Sequence, residues 1–573
     1  MNKRVSKENG VWLNSIGLEN FQCFHGYQEI PLGEITFIYG PNSSGKSALI
    51  DAIEVLRDFW GNTVSDDIAP TPFEPFEIPE KLKRSVRREK NNYFIKEATR
   101  LVGVVSLTEA EFESKLNHSN YIHYHRFFSD VFNINQLSSS NKKIEIRTEI
   151  RSSGASINNI LLSVNGTPLL QYSHGFSINL NHPWISSSTI IHKNRSIGIT
   201  QALDQVGKPG NFFQFSDGWL SYTIHAHCLP NRAISLNDNF YHFIENAIEE
   251  LPEDIQPKVD FDSTIDAFNR MARIYNELIG FFSKIFHEGL KIEKISGSRK
   301  IPTKKDLTYF LNASNTSIAD SAYHGIEVNG DPLFLGLAKS SLIRYLKKSV
   351  SKSSSKEDKE YIEQLLRHAS TEALDQVNEA LRDHLLLDRS YQIESKIHLL
   401  IDPKAVLDER EKEPINLTGP YIVTLRLIDS SGNSFDFHDV GSGLGYMLPI
   451  LTGINSQAIS AIEQPELHLH PALQGALADV FIECCNRGSK SIIESHSEHL
   501  LLRALRRVRE TSNEKIKSPS LSIRPEQLCV LYFDPSINGG TKVKRIRVSK
   551  EGDFLDYWPN GFFDERRKDL FDE

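Results

Sequence analysis

Gly40-Pro41-Asn42-Ser43-Ser44-Gly45-Lys46-Ser47 satisfies every fixed position of the pattern G-x-x-x-x-G-K-[ST]. That pattern describes a loop between a strand and a helix whose backbone N–H groups close around nucleotide phosphates. The flanks agree with it. Ile35-Thr36-Phe37-Ile38-Tyr39 reads as a buried strand, and Ala48 to Phe59 has the spacing of an amphipathic helix. In such a setting Asn42, Ser43, Ser44 and Gly45 wrap the phosphates, Lys46 reaches the β and γ oxygens, and Ser47 ligates Mg²⁺ at the helix start. A nucleoside triphosphate with Mg²⁺ is the expected ligand.

Working outward, 573 residues are enough for two or more domains, and 39% hydrophobic with 24% charged residues is the composition of a soluble globular protein. The net charge of -9 argues against a protein that coats nucleic acid through its overall charge, so any such contact would be local or made through a partner. Five cysteines without C-x-x-C spacing suggest no disulfide framework. The polar N-terminus and the lack of an eighteen-residue apolar run predict a cytoplasmic protein with no membrane anchor.

The nucleotide signals fall in two blocks, near 13–60 and 418–548, which the fold must unite. Runs at 101–107, 143–150, 157–164 and 169–180 read as an antiparallel lobe. Helical periodicity governs 237–290 and 331–391. The expected organisation is an N-terminal half over 1–205, a mostly helical insertion over 206–400 and a C-terminal half over 401–573. The basic stretch Lys81 to Lys90 reads as a solvated helix face, with a phosphate-contacting patch as the alternative.

In the second block, Ile459-Ser460-Ala461-Ile462-Glu463-Gln464-Pro465-Glu466 reads as a buried strand ending in carboxylates, and Glu463 is the expected second Mg²⁺-side residue. Leu467-His468-Leu469-His470-Pro471 leads into a helix. The strand Ser491-Ile492-Ile493-Glu494 then ends in Ser495-His496-Ser497-Glu498-His499. Strand, polar tip, helix and strand is parallel α/β organisation, with ligand groups at strand carboxyl ends. Upstream, Gly441-Ser442-Gly443-Leu444-Gly445 precedes another helix and forms a second potential phosphate cradle.

Taken together, the phosphate loop, the Gly-Ser-Gly turn, the Glu463 strand and His496 resemble, in this order, the ABC-type P-loop ATPase heads of the SMC, RecF and OLD group. The resemblance takes in the opening Leu18-Glu19-Asn20-Phe21 and about half the chain. Glu463 to Pro471, Glu494 to Leu500 and Trp558 to Asp564 are more narrowly similar to the PtuA-type ATPases of bacterial antiphage defence, found in Septu and retron systems. Ser298-Arg299-Lys300-Ile301-Pro302 resembles a motif of that group's insertion. The resemblance implies an α/β ABC-type head with an antiparallel lobe, ATP as the nucleotide, and a homodimer or higher homo-oligomer with composite sites. In those sites Ser442 and Gly443 of one subunit close over the γ-phosphate held by Lys46 and Ser47 of another, and His496 senses it. It also implies a regulatory subunit controlling a separate PtuB-like HNH nuclease, with reverse transcriptase and retron DNA and RNA as further partners in a retron version. The competing reading is a DNA-repair or chromosome-maintenance clamp of the RecF/SMC kind.

In that family a glutamate that polarises water follows the Mg²⁺-side carboxylate, whereas Gln464 stands here. An amide orients water but accepts no proton, so slow hydrolysis is expected, with Glu466 as an alternative base or ATP held as a structural ligand. The pairs His468/His470 and His123/His125 lack companions at zinc spacing and read as structural. Arg503, Arg506, Arg507 and Arg509, with Lys542, Lys544, Arg545 and Arg547, form either a nucleic-acid surface or ordinary solvated faces. Asp534 stands alone, and no acidic cluster for phosphodiester cleavage is evident, so the chain is not expected to be a nuclease itself.

Overall fold

The computed structural model describes residues 10–61, 98–117, 143–152, 157–173, 177–181, 214–216, 219–222, 280–311, 331–350, 372–385, 391–399, 421–440, 442–454, 459–516, 518–535 and 540–559. His123, His125 and the 81–90 stretch lie outside these residues. The described chain is a mixed α/β protein, as expected. It divides into two compact units, the first made of 1–32, 40–292 and 533–544 and the second of 33–39, 293–532 and 545–573. This division does not follow boundaries at 205 and 400, because strand residues just after 292 join the sheet of the second unit.

The first unit carries strands β1 (Trp12–Glu19) and β2 (Gln28–Pro31). The strand β3 (Ile35–Tyr39) belongs to the second unit, and the helix α1 (Lys46–Gly61) that follows the phosphate loop returns to the first. Then come β4 (Thr99–Thr108), α2 (Glu109–Asn117), β5 (Lys143–Ser152), β6 (Ile157–Val164), β7 (Thr167–Ser173), β8 (Ser177–Asn181), β9 (Gln214–Ser216) and β10 (Trp219–Tyr222). Apart from β3 these strands form one nine-stranded sheet in the order β2-β1-β4-β5-β6-β7-β8-β10-β9, antiparallel at the registered pairs, which is the lobe anticipated above. The long strands β4 and β5 run in register over ten residues each. Leu49, Ile53, Leu56, Phe59 and Trp60 of α1 are buried, and Trp60 stacks on Phe286 of helix α3, whose described part runs 280–289.

The second unit is built on a six-stranded sheet in the order β11-β16-β17-β3-β18-β19. Its strands are β11 (Ile292–Ile295), β16 (Ile459–Glu463), β17 (Lys490–Glu494), β18 (Leu528–Pro535) and β19 (Thr541–Ile546), with β3 near the middle. The central strand ITFIY is buried at all five positions, so its continuous apolar run reads as a parallel strand covered on both faces. A second, antiparallel sheet joins β12 (Thr308–Leu311), β14 (Tyr421–Ile428) and β13 (Gln392–Leu399), with β15 (Ser434–Phe435) on β14. Helices α4 (Leu335–Val350), α5 (Ala373–Ala380), α6 (Ser442–Gly453), α7 (Pro471–Asn486) and α8 (Glu498–Ser512) complete the unit. The span 206–400 thus supplies strands as well as helices.

Helix α6 packs tightly on the chain that follows β11. A Cβ added at Gly445 would fall 2.6 Å from Ile301 Cγ2, and one at Gly453 would fall 2.3 Å from Ile295 Cδ1. The glycines therefore set the distance between α6 and residues 295–301.

Candidate functional site

The phosphate loop occupies residues 40–47 at the end of β3. Gly40 and Gly45 have φ of 146° and 87°, which only glycine adopts without strain. Space is equally restrictive, since a Cβ at Gly40 would lie 2.5 Å from Phe533 O and 2.9 Å from Ser44 Oγ. Asn42, Ser43 and Ser47 are exposed, Ser44 is buried and Gly45 is half-buried. Lys46 is only 4% exposed and folds back to donate to the carbonyls of Gly40 (3.1 Å) and Pro41 (2.9 Å). Among the described residues the buried Ser44 hydroxyl has no hydrogen-bond partner. A lysine held against its own loop and an orphaned hydroxyl beneath exposed backbone fit a phosphate chain. The residues brought together are those the sequence pattern names, and α1 begins at Lys46, so Ser47 stands in its first turn.

The second set of groups sits at the carboxyl ends of β16 and β17. Their register places Glu463 opposite Glu494, and Glu494 opposite Ile38 of β3, so all three strands end at one edge of the parallel sheet. Glu463 Oε1 receives the Lys294 ammonium at 2.9 Å, and Oε2 accepts from Gly297 N at 3.2 Å. The carboxylate is hard oxygen chemistry suited to Mg²⁺, and a metal ion bound there would displace the Lys294 ammonium. Gln464 follows with φ of 45°, in the left-handed region, and donates its N–H to Glu494 O at 2.7 Å. Each such non-glycine residue costs about 1–2 kcal/mol of backbone strain, which surrounding bonds must offset.

Those bonds come largely from Arg299. Its Nη1 donates to Glu463 O (2.8 Å) and Ser296 O (3.1 Å), and its Nη2 donates to Gln464 O (3.0 Å). The guanidinium is 8% exposed, and burial lowers its pKa against the opposing pull of Glu466 and Glu463. Sequence reading noticed the Ser298–Pro302 stretch but put it in the insertion. Little in the sequence signals this placement, since Ile292 and Ile295 stand three residues apart and not in strand alternation, yet β11 lies alongside β16.

Glu466, the alternative base, is engaged by two donors. Its two oxygens accept from Ser495 Oγ (2.9 Å) and His496 N (2.7 Å), tying the loop after β16 to the tip of β17. His496 itself is exposed, and the next residue, Ser497, caps α8 by accepting from Leu500 N. Tyr39 OH donates to Ser497 O at 3.1 Å; burial first and then Glu466 push this phenol well above its usual pKa. Helix α6 starts at Ser442, and a Cβ at Gly443 would lie 3.5 Å from His468 O. The His468 ring stacks on Tyr446 at 4.4 Å, and His470 Nδ1 accepts from Ala472 N to cap α7. Both histidines thus have structural work, in line with the preferred reading of that pair.

The basic helix face differs from one of its two readings. Arg503 and Arg507 both bind Asp479, whose side chain is 5% exposed, at 2.7 and 2.8 Å. Arg507 and Arg506 also hold Glu510, and Arg509 reaches Asp553. Lys544 pairs with Asp534 and Arg547 with Asp556. Six of the eight pair with carboxylates, of which only Arg503 and Arg507 bind the buried Asp479, while Arg506, Arg509, Lys544 and Arg547 stay half or more exposed in weak surface pairs. Asp479→Asn is expected to lower stability by about 2 kcal/mol, since one buried carboxylate neutralises two arginines. Chemical denaturation would measure it, and a loss below half a kilocalorie would mean the arginines find other partners.

With loop and strand tips described, comparison with known proteins gives the class. Residues 12–501 match the family described as AAA ATPase domain. The chain belongs to this family. Nucleotide binding and ATPase chemistry are what membership in the AAA ATPase domain family brings, and Mg²⁺ typically accompanies them. Among solved structures the chain is similar to the SmcHead bound to the C-winged helix domain of ScpA, at 10% identity and TM-score 0.36 over 94% of this chain and 98% of that one. It is similar to the SMC head domain from Thermotoga maritima, at 9% identity and TM-score 0.32 over 94% and 100%. It is also similar to the recombination mediator protein RecF-ATPrS in the RecFOR pathway, at 10% identity and TM-score 0.29 over 94% and 99%. No curated protein matches the ATPase by sequence. Among the described residues no helix is long and apolar enough to cross a membrane.

Proposed function

We propose that the chain is an ATP-dependent switch in which residues 42–47 hold the triphosphate, Ser47 and Glu463 hold Mg²⁺, and Gln464 and His496 face the γ-phosphate. The observation that carries this reading is the common edge at which β3, β16 and β17 end, since the phosphate loop begins at the next residue after β3. Mg²⁺, when bound, neutralises phosphate charge; the chain's own residues position the nucleotide and the attacking water. Lys46 leaves its loop carbonyls for phosphate oxygens, and the Ser44 hydroxyl gains a partner. Gln464 orients water without taking its proton, which keeps turnover slow.

In this reading Ser442 and Gly443 at the start of α6 complete the site of a second copy, so that ATP binding and association are one event. Backbone donors and the positive end of α6 would meet the γ-phosphate only on docking. Ser442→Arg is expected to leave ATP affinity within a few-fold and to abolish ATP-stabilised association, as read by light scattering after size exclusion. The same oligomer mass with and without ATP in the unsubstituted protein would refute the composite site.

The motif resemblance at 463–471 and 494–500 supports a role as sensor and regulatory subunit of a cytoplasmic antiphage complex, restraining a separate HNH nuclease. Co-purification with a neighbouring HNH gene product and loss of phage protection on Lys46→Ala are the tests. Rapid DNA-stimulated hydrolysis would favour the repair-clamp reading instead.

A further inference from the structure

The loop between β11 and β12 carries a buried cation that no carboxylate neutralises directly. Among the described residues Arg299 makes no ion pair within 4.0 Å. It makes three hydrogen bonds to main-chain carbonyls, and its buried Nε has no partner. Burying a guanidinium against neutral carbonyls rather than a carboxylate is costly. Two of those carbonyls belong to Glu463 and Gln464, 164 and 165 residues further along the chain. Gln464 is also the residue held in left-handed backbone geometry, so Arg299 sits where the tip of β16 most needs restraint.

The rest of the loop presses on the same tip. Gly297 N donates to the Glu463 carboxylate, and a Cβ at Gly297 would lie 3.2 Å from Gln464 Oε1. On its other side the loop is anchored by Ile301, which fills the space left by Gly445 in α6. The Glu463 carboxylate and the carbonyls of both residues are therefore held by Gly297 and Arg299, and the Gln464 amide lies against Gly297. A planar fork suits this task, because it donates in two directions at once, whereas a lysine ammonium is a point charge on a flexible stem.

We propose that Arg299 is a positioning residue for ATP hydrolysis: it clamps the backbone of Glu463 and Gln464 so that their side chains face metal and water in one fixed geometry. The inference rests on the reading of Glu463 and Gln464 as the hydrolytic tip. It places control of the rate in a loop remote in sequence from both the phosphate loop and the Glu463 strand and leaves nucleotide affinity to the phosphate loop.

The test measures single-turnover ATP hydrolysis and the affinity for a fluorescent ATP analogue with Mg²⁺, on the full chain. Arg299→Met and Arg299→Lys are each expected to lower the single-turnover rate by about tenfold or more while the dissociation constant changes by less than about threefold, and lysine should not rescue. Gly297→Ala, which leaves Arg299 intact and crowds the Gln464 amide, should lower the rate with an unchanged melting temperature, and so covers the case in which the Arg299 variants fail to fold. Full rate in Arg299→Lys, or an unchanged rate in a folded Arg299→Met or in Gly297→Ala, would overturn the clamp. Glu463→Gln separates the two claims. If it leaves turnover intact, the reading of the tip is wrong; if it lowers turnover while Arg299→Met does not, only the clamp fails.

Discussion

Lys46→Ala is expected to abolish ATP binding at millimolar nucleotide and, with it, every ATP-dependent property of the chain. The side chain is nearly buried and bound to Gly40 O and Pro41 O, so the loop holds its cation in place before nucleotide arrives. Exchange of two neutral carbonyls for phosphate oxygens is strongly favourable in a site with so little solvent. Truncating one partner of a buried, hydrogen-bonded charge pair costs about 2–5 kcal/mol, which corresponds to roughly 30- to 4,000-fold in affinity. Two measurements check it. A titration with a fluorescent ATP analogue should lose saturation. The thermal shift produced by ATP should vanish, where the unsubstituted protein at a hundredfold excess over its dissociation constant gains about 2.7 kcal/mol. Retention of the ATP-induced shift would remove the phosphate-loop reading.

That prediction draws on the part of the site that was most legible from residues alone. The loop pattern is local: eight consecutive residues define it, and the structure assembles them from one contiguous stretch. The parallel strands were legible for a similar reason, since ITFIY, ISAIE and KSIIE are short apolar runs ending in polar tips. The partners of Glu463 were not legible. Lys294 and Gly297 are ordinary residues in sequence, Arg299 stands in a stretch marked only by a resemblance, and only the pairing order β11-β16 makes them neighbours of a carboxylate far along the chain. Basic runs were ambiguous in the other direction. Spacing placed Arg503 and Arg507 on one helix face, but nothing local reveals that Asp479 on the preceding helix meets both. The strands between 206 and 400 were not legible either: they are short, lie outside the helically periodic stretches 237–290 and 331–391, and enter three different sheets.

Gln464→Glu is expected to raise the single-turnover hydrolysis rate by ~10²- to 10⁴-fold, the usual contribution of a positioned general base. The substitution is nearly isosteric, so the clamp from Arg299, the bond to Glu494 O and the left-handed backbone should persist. Glu466 is no ready substitute, because Ser495 Oγ and His496 N already engage its two oxygens and their loss would loosen the tip of β17. The rate should rise without a matching change in ATP affinity, and ATP-stabilised association should become transient as the bound nucleotide is consumed. An unchanged rate would dispose of the missing-base explanation. ATP would then be a ligand that the fold retains, and the slow step would have to be sought in the approach of the second copy rather than in the chemistry at residue 464.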